Sequence, residues 1–376
     1  MTDALASALI HALWQDTLLA LAAALALEGL AGASARLRHG VALGFLAAMV
    51  AAPAFRLASY GFVEAAPNAP IGGEPPVWPA LLAAVWIAGA VLMLGRLLAG
   101  LKAVAALRAA DEAAPEPWRR STRRLAAGLG LGRSVALRLS DAVDGPCTAG
   151  LRRPVIWLPP ASARLSEPRR EALIAHELAH VARRDWLWSG LQAVMEALLS
   201  FHPAAWWLGR RIRQEREHAC DDWAAQACGD SLTLAEALVE LERERRTAPR
   251  LALAARDGPL LTRVRRLVGT PGRAPRFGLA ALAGALAVAS VVIGAQALLP
   301  GGRAPELRVR ASTAGELGAG DFREVVARGP GGVRAYRVSR DREGRLRESY
   351  REGGRARPID ASVRRWVAGA ASGQAG

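Results

Sequence analysis

Long apolar segments with few charges limit what this 376-residue chain can fold into more than any other feature of its sequence. The clearest of them, residues 277–300, carries no charged side chain and follows Arg273 and Arg276. Residues 78–101 form a second segment of this kind, with Arg96 near one end. Because about 20 apolar residues cross the hydrocarbon core of a bilayer as a helix, both segments predict membrane spans.

Two weaker apolar segments lie nearer the N-terminus. The segment of residues 41–55 is short for a span. It becomes long enough to cross if it continues through Tyr60, which requires the Arg56 side chain to reach outward to the headgroups. Residues 4–27 contain Asp16, which we interpret as an interfacial residue, with the helix starting later, rather than as a functional intramembrane carboxylate. This segment lacks the positive start of a signal peptide, because no Arg or Lys precedes Arg36. Four membrane helices are therefore expected.

Positive residues near the ends of spans set the orientation, because they stay on the cytoplasmic side. Arg36 and Arg38 lie between the first two spans, whereas residues 61–77 between the next two carry no Arg or Lys. This distribution puts the N-terminus outside, residues 102–275 in the cytoplasm and residues 301–376 outside. The arginine-rich start of the last segment opposes this orientation, but the internal loops agree with one another.

The formal net charge of +15 comes almost entirely from arginine, since Lys102 is the only lysine. No basic stripe is interleaved with aromatic residues and no zinc-finger spacing is present, so we expect no direct nucleic-acid partner. Arginine that flanks apolar segments instead suits a lipid bilayer as the partner. Cys147, Cys220 and Cys228 have no metal-ligand spacing, and a disulfide framework is not expected.

The stretch HELAHVARRD, which begins at His176, carries the strongest chemical signal. Ser166 can cap a helix over about residues 167–182, in which residues four apart share a face about 6 Å apart along the axis. His176 and His180 can therefore bind one metal ion, and Glu177 can reach a metal-bound water. An ordinary structural helix is the alternative, but a chance match is rare in a chain with six histidines.

A third ligand can come from the stretch QEREHACDD at residues 214–222. Glu217 and Asp221 are four apart there and share a helix face. Together with HELAH they resemble the gluzincin pattern, in which a Glu on a later helix, within ExxxD, completes the zinc site. The resemblance implies that Glu217 is the third zinc ligand and that Asp221 orients a ligating histidine. His218 is the competing third ligand.

Between these motifs, residues 186–201 are apolar enough to suggest another span. A crossing helix would separate the histidine pair from Glu217 by about 30 Å, on opposite sides of the bilayer. We therefore interpret this segment as a buried or membrane-leaning helix of the catalytic domain, capped by Asp185. His202, which follows it, is interpreted as a packed structural histidine.

Two strands are predicted before the metal-binding helix. The first covers residues 135–140, and prolines bound the second on both sides, which is typical of an edge strand. Because an exposed edge can bind an extended peptide through its backbone, the second strand is the candidate that aligns a substrate across the zinc. It consists of Val155, Ile156, Trp157 and Leu158. Cys147 lies just before it and is interpreted as a small packed thiol.

Zinc with three protein ligands keeps a position for water, and Glu177 is expected to take the proton of that water as it attacks a peptide carbonyl. The oxyanion that forms needs a donor besides the metal. All three tyrosines lie outside residues 102–275, which leaves His202, His218, an arginine or a backbone N–H as alternatives.

Four motifs, DGPCTAGLRRPVIWLP, HELAHVARRDWL, FHPAAWW and REHACDDWA, lie between three N-terminal spans and a fourth. In this layout residues 1–300 resemble the BlaR/MecR-type bacterial membrane metallopeptidases, the antirepressor family of β-lactam sensing. The resemblance implies a multi-pass protein of the bacterial cytoplasmic (inner) membrane, with a gluzincin-like α+β domain in the cytosol that binds Zn²⁺. It also implies regulated proteolysis of a cytosolic winged-helix repressor, and a second copy of the chain is a further candidate partner.

Residues 301–376 depart from the β-lactam sensors, which carry a large external penicillin-binding domain with an SxxK motif. Lys102 has Ala99 three positions before it, so the chain contains no SxxK and β-lactam acylation is not expected. The segment instead predicts a β-hairpin that turns near Gly344, followed by a short helix from Asp360.

The expected fold is a mainly α integral membrane protein. Residues 1–101 would hold three transmembrane helices, residues 102–275 the zinc peptidase domain, residues 276–300 the fourth helix and residues 301–376 a small extracytoplasmic tail. Two other roles stay open for the same fold. One is a housekeeping peptidase that clears damaged membrane proteins, and the other is a membrane receptor that retains the zinc fold without catalysis.

Overall fold

The computed structural model describes residues 2–61, 77–109, 111–247, 258–269, 278–298, 306–311, 321–329, 332–341 and 343–371. The chain divides into two compact units, one of residues 1–57 and 78–294 and the other of residues 58–77 and 295–376. The helices that lie wholly or mostly in the first unit are α1 (Thr2–Gly29), α2 (Ala35–Gly61), α3 (Trp78–Ala109), α4 (Glu116–Gly128), α5 (Glu167–Arg183), α6 (Asp185–Leu198), α7 (Pro203–Cys228), α8 (Ser231–Thr247), α9 (Gly258–Leu267) and α10 (Gly278–Leu298). Its strands are β1 (Glu112–Ala113), β2 (Ala136–Leu139), β3 (Cys147–Ala149) and β4 (Val155–Leu158).

Within the part of the chain that the structure describes, three helices are long and apolar enough to cross a membrane, with candidate spans at Leu5–Gly29, Ala35–Ala58 and Trp78–Arg108. They agree with the three N-terminal membrane helices that the sequence predicts. In α10 the described apolar stretch, Ala280–Val292, is shorter than such a span. The fourth span therefore stays a prediction.

Two side chains of these helices differ from expectation. The helix α1 begins at Thr2, so Asp16 does not lie at its start but is 0% exposed inside it. The helix α2 continues to Gly61 as expected, but Arg56 is only 4% exposed and does not reach outward. Both side chains are buried by packing in the folded chain, which the hydropathy of a single helix cannot show.

The helix α10 lies antiparallel to α1, with close contacts at small residues. A Cβ on Gly29 would come within 2.8 Å of both the carbonyl oxygen of Gly278 and the side chain of Leu282. Farther along, Gly284 lies beside Leu25. Residue numbers thus rise along α10 while they fall along α1, so the two helices run in opposite directions.

The first unit contains a four-stranded sheet in the order β1-β2-β4-β3, in which β4 is parallel to β2 and antiparallel to β3. The prediction of an edge strand is wrong for β4, because it has a partner on each side and all four of its side chains are buried. Its members are Val155, Ile156, Trp157 and Leu158. The flanking prolines end the strand without exposing an edge. The outer strand on this side of the sheet is β3.

The helix α5 is buried along residues 172–179. Ile174 and Leu178, one turn apart, pack with apolar side chains of β2 and β4. Ser166 occupies the N-cap position without a side-chain capping bond, and Pro168 in the first turn suits the helix start. After α5, Arg184 adopts a left-handed conformation with φ of 58° and turns the chain into α6. A helix held on several sides positions its side chains rigidly.

The helices α6 and α7 form a hairpin with a turn at residues 199–202. The apolar segment 186–201 therefore turns back, in agreement with its interpretation as part of the catalytic domain. Inside the hairpin, Gln192 donates to the carbonyl of Gly209 at 3.0 Å, and Glu196 pairs with Arg213 at 2.6 Å. Outside it, buried side chains of both helices share one core with α1 and α2.

The second unit contains an antiparallel sheet of β5 (Glu306–Ala311), β6 (Phe322–Gly329), β7 (Gly332–Arg340), β8 (Leu346–Glu352) and β9 (Arg355–Arg357), followed by α11 (Ala361–Ala371). The predicted hairpin is present as β7 and β8. The predicted short helix is α11, whose first turn is capped by Asp360 through the N–H of Val363 at 3.0 Å. The tail is thus a five-stranded sheet rather than an isolated hairpin, and its external location stays a prediction.

Candidate metal centre

His176, His180 and Glu217, which lie far apart in sequence, meet between two helices. The histidines lie one turn apart on α5, Glu217 lies on α7, and their ligand atoms are all within 4.8 Å of one another. Glu217 Oε2 is 3.6 Å from His176 Nε2, and Glu217 Oε1 is 3.9 Å from His180 Nε2. Ligands of a tetrahedral zinc with bonds of about 2.0–2.1 Å lie about 3.4 Å apart, so these groups fit one ion.

The second nitrogen of each histidine faces a buried carboxylate. His176 Nδ1 lies 3.1 Å from Asp221 Oδ1, and His180 Nδ1 lies 2.8 Å from Asp185 Oδ2. Such contacts fix the orientation of metal-binding imidazoles and turn Nε2 toward the metal. The Asp221 contact supports the role that the gluzincin resemblance implies, and Asp185 is a counterpart that the sequence did not indicate.

The prediction that Asp185 caps α6 is wrong. Asp185 is the first residue of α6. The left-handed conformation of Arg184 before it allows the Asp185 carboxylate to reach His180 and Arg183. Burial alone would raise the pKa of Asp185, but the hydrogen bond with His180 and the nearby positive charges hold this pKa below its usual value. The Cys220 thiol also donates to Asp185 at 3.3 Å, and burial raises the pKa of that thiol well above its usual value, so it stays protonated.

The charge distribution favours a cation at this point. Burial would raise the pKa of Glu217 and Asp221, but hydrogen bonds with His176 and the charge of Arg263 hold both pKa values below the usual range. Burial and Arg263 would lower the pKa of His176, yet the two carboxylates raise this pKa to about 9. Two ionised carboxylates, Glu217 facing both imidazoles and Asp221 behind His176, therefore favour a divalent cation at this point.

Glu177 borders a cleft of about 360 Å³ that the ligand residues also line. Glu177 is 5% exposed, and its carboxylate accepts a hydrogen bond of 2.6 Å from the hydroxyl of Thr148. Thr148 and Cys147 belong to β3, the outer strand, which borders the same cleft. Burial and the charge of Glu177 raise the pKa of Cys147 to about 11, in keeping with a packed thiol. Thr148 could not be identified from sequence, because only the pairing of β3 with β4 places it there.

Arg263 on α9 is a further residue of this centre that the sequence did not indicate. Its Nε and Nη2 donate to both oxygens of Asp221, at 3.0 and 2.7 Å. Its Nη1 lies 3.4 Å from Glu217 Oε2, and its Nη2 lies 3.3 Å from His176 Nε2. Burial would lower the pKa of Arg263, but the carboxylates raise it above its ordinary value, so the guanidinium stays charged. No local motif contains it, because Asp221 lies 42 residues away along the chain.

The other two candidate histidines face away from the ligands. His218 Nδ1 lies 3.7 Å from Glu215 Oε2. His202 is at the N-cap of α7, where Nδ1 accepts from the N–H of Ala204 at 3.2 Å and Nε2 donates to the carbonyl of Leu13 at 3.1 Å. His202 is therefore a packed structural histidine, as expected, and Glu217 rather than His218 is near the histidine pair.

The fold and the site define a membrane-associated protein with a candidate metal site at an HExxH sequence. The chain belongs to the BlaR1 peptidase M56 family, whose model matches residues 3–242. It is also similar to the regulatory protein BlaR1 of Bacillus licheniformis, with 31% identity over 87 residues. That match covers 23% of this chain and 14% of the relative's length. The family resemblance found in the sequence is thereby confirmed.

Proposed function

We propose that this protein is a membrane-embedded zinc endopeptidase. His176, His180 and Glu217 bind Zn²⁺ in this proposal, and Glu177 is the general base. The observation that carries it is the convergence of these four side chains at one cleft. Bound zinc supplies a Lewis acid that polarises the peptide carbonyl and acidifies a water molecule. Membership of a peptidase family supports the reaction class.

The protein's own groups move the protons. Glu177 takes a proton from the attacking water and passes it to the leaving amine. The hydrogen bond from Thr148 holds the Glu177 carboxylate at the wall of the cleft. Asp221 and Asp185 hold the two imidazoles so that each presents Nε2 to the metal.

Arg263 is the arginine that best suits the oxyanion among the alternatives left by the sequence. Its guanidinium lines the cleft beside His176 and Glu217, whereas His202 and His218 face other groups. A fixed positive donor at this place would stabilise the charge that develops on the carbonyl oxygen. The bidentate contact with Asp221 would keep the guanidinium oriented during the reaction.

The strand β3 takes the substrate-aligning role first expected for β4. It is an outer strand of the sheet, and its residues Cys147 and Thr148 line the cleft. An extended peptide that pairs with this edge would pass beside Glu177, since Thr148 of β3 contacts that carboxylate.

We assign this activity to regulated proteolysis at the bacterial cytoplasmic membrane. A signal received outside by residues 301–376 would pass through α10 to a cytosolic centre and lead to cleavage of a winged-helix repressor. No β-lactam acylation step would be involved. Membership of the BlaR1 peptidase family and the similarity to a regulatory protein support the regulatory part. The opposite directions of α1 and α10 support a fourth span. A housekeeping peptidase and a non-catalytic receptor are the alternatives to be separated.

The test is a comparison of Glu177→Ala with Glu171→Ala. Both residues lie on α5, but Glu171 pairs with Arg124 outside the centre. We expect purified Glu177→Ala protein to bind zinc like the wild type and to cleave nothing, because Glu177 acts on water rather than on the metal. Glu171→Ala should match the wild type in both respects. A Glu177→Ala protein that lacks zinc, or that keeps full activity, would contradict the assignment.

Proteomes of cells that carry the two variants separate the roles. Accumulation of one small DNA-binding repressor in Glu177→Ala cells would support the regulatory role. Broad accumulation of damaged membrane proteins would support the housekeeping role. Identical proteomes, together with intact zinc binding, would support the receptor.

A further inference from the structure

The turn of the α6–α7 hairpin contacts the interior of two membrane helices. His202 Nε2 donates to the carbonyl of Leu13 in α1 at 3.1 Å, and Trp86 Nε1 in α3 donates to the carbonyl of Leu198 at 2.8 Å. Leu13 lies within the candidate span Leu5–Gly29, and Trp86 lies within Trp78–Arg108. The hairpin turn is therefore at a level where these two helices would be inside the bilayer.

Both contacts lie in the N-terminal half of their candidate spans. Leu13 lies eight residues after Leu5, and Trp86 lies eight residues after Trp78. At 1.5 Å per residue, each contact is about 12 Å from the N-terminal end of its span. Both residues lie before the middle of their spans, which hold 25 residues in α1 and 31 in α3, so the turn has passed the midplane from the opposite side.

The backbone of the turn is satisfied by side chains. The indole of Trp86 donates to Leu198 O, and the indole of Trp206 donates to Ser200 O at 3.0 Å. The N–H of Ala204 donates to His202 Nδ1 at 3.2 Å. Water is absent from the hydrocarbon core, so non-helical backbone at this depth needs such partners.

The outward face of α6 is apolar, and its polar side chains point inward. Gln192 and Glu196 face α7, where they contact Gly209 and Arg213. This polarity is the reverse of that of a helix at a water-exposed surface. All exposed residues of α6 are apolar, namely Trp186, Leu187, Trp188, Leu191 and Val194.

We propose that the α6–α7 hairpin is a re-entrant element, inserted into the bilayer from the cytosolic side with the outward face of α6 against lipid hydrocarbon. Lipid is the occupant because the face continues the membrane helices that its turn contacts. If this face of five apolar side chains lay in water, it would favour aggregation of the folded protein.

This insertion fixes the level of the metal centre. Asp185, the partner of His180, begins α6, and Leu198 ends it about 20 Å away. The centre then lies near the cytosolic surface of the bilayer, and Trp186 and Ser189 of α6 line its cleft. If the protein is the proposed peptidase, its substrates are polypeptide segments that lie at this surface, whether they are anchored in the membrane or adsorbed to it. This inference about the substrate class rests on the proposed function.

Spin labels on the full chain in lipid vesicles test the insertion without reference to catalysis. Cys147 and Cys228 are replaced by Ser, while Cys220 stays because it is 0% exposed. Single cysteines for the label are introduced at Leu191, which is 46% exposed on α6, and at Leu232, which is 48% exposed on α8. Collision with oxygen, which partitions into lipid, is compared with collision with a water-soluble nickel chelate.

We expect the Leu191 label to collide with oxygen and not with nickel, and the equally exposed Leu232 label to show the opposite. Labels at Trp188 and Val194 should show an oxygen-to-nickel ratio that rises toward the turn. Strong nickel collision at Leu191 would overturn the proposal. Weak collision with both agents would mean that protein, such as a second copy, covers the face, and would also overturn it. Zinc binding and cleavage are separate readouts, so their failure would affect only the proposed function.

Discussion

Removal of the Arg263 guanidinium is expected to slow cleavage without removing zinc. Arg263→Met keeps much of the side-chain volume but loses the two bonds to Asp221, of 3.0 and 2.7 Å, and the contact of 3.4 Å with Glu217. If the guanidinium stabilises the oxyanion, its loss should lower kcat about 10²–10³-fold, equivalent to about 2.7–4 kcal/mol. KM should change little, because the donor acts on charge that develops only in the transition state.

Zinc affinity separates this role from a purely structural one. Arg263 is a positive group 3.3 Å from a ligand nitrogen of His176, so its removal should leave the zinc affinity unchanged or raise it. Arg263→Lys keeps a charge but cannot make both bonds to Asp221, and it should recover part of kcat. Cleavage of the polypeptide that accumulates in Glu177→Ala cells gives kcat and KM, and chelator competition gives the zinc affinity. An unchanged kcat, or a parallel loss of kcat and zinc affinity in Arg263→Met, would refute the reasoning.

Three further changes have defined expectations. Asp221→Asn should weaken zinc binding about 10–100-fold in chelator competition, because it removes the carboxylate beside His176 Nδ1. Arg38→Met should lower the free energy of unfolding by about 3–5 kcal/mol in a denaturant titration, since Glu215 is 0% exposed and would keep Arg211 and the more distant His218, at 3.7 Å, as its partners. Adding Glu215→Gln should recover much of this loss. Reporter fusions after Lys102 and after Arg303 should lie in opposite compartments, and finding both on one side would contradict the predicted fourth span.

Features encoded within one helix could be predicted from the sequence. The three N-terminal membrane helices follow from continuous apolar segments, since helix length and bilayer thickness are both known. The pairing of His176 with His180 follows from the 3.6-residue period, which puts residues four apart on one face. The same argument makes Glu217 and Asp221 neighbours on α7. The sequence also argued against a membrane-crossing helix at residues 186–201, because such a helix would separate the histidine pair from Glu217.

Relations between distant segments required the tertiary structure. Proline on both sides of β4 suggested an edge, but pairing with β2 and β3 put this strand inside the sheet and left β3 beside the cleft. Asp185 looked like a helix cap, but the left-handed turn at Arg184 directs its carboxylate to His180.

The sequence by itself determined the membrane helices and the histidine pair, because backbone periodicity and local hydrophobicity set them within short stretches. The tertiary structure alone decided that Arg263 joins Asp221 and that the α6–α7 turn reaches Leu13. These contacts depend on how whole helices pack. Packing sums many weak interactions over residues far apart in the chain, so no short pattern in the sequence records it.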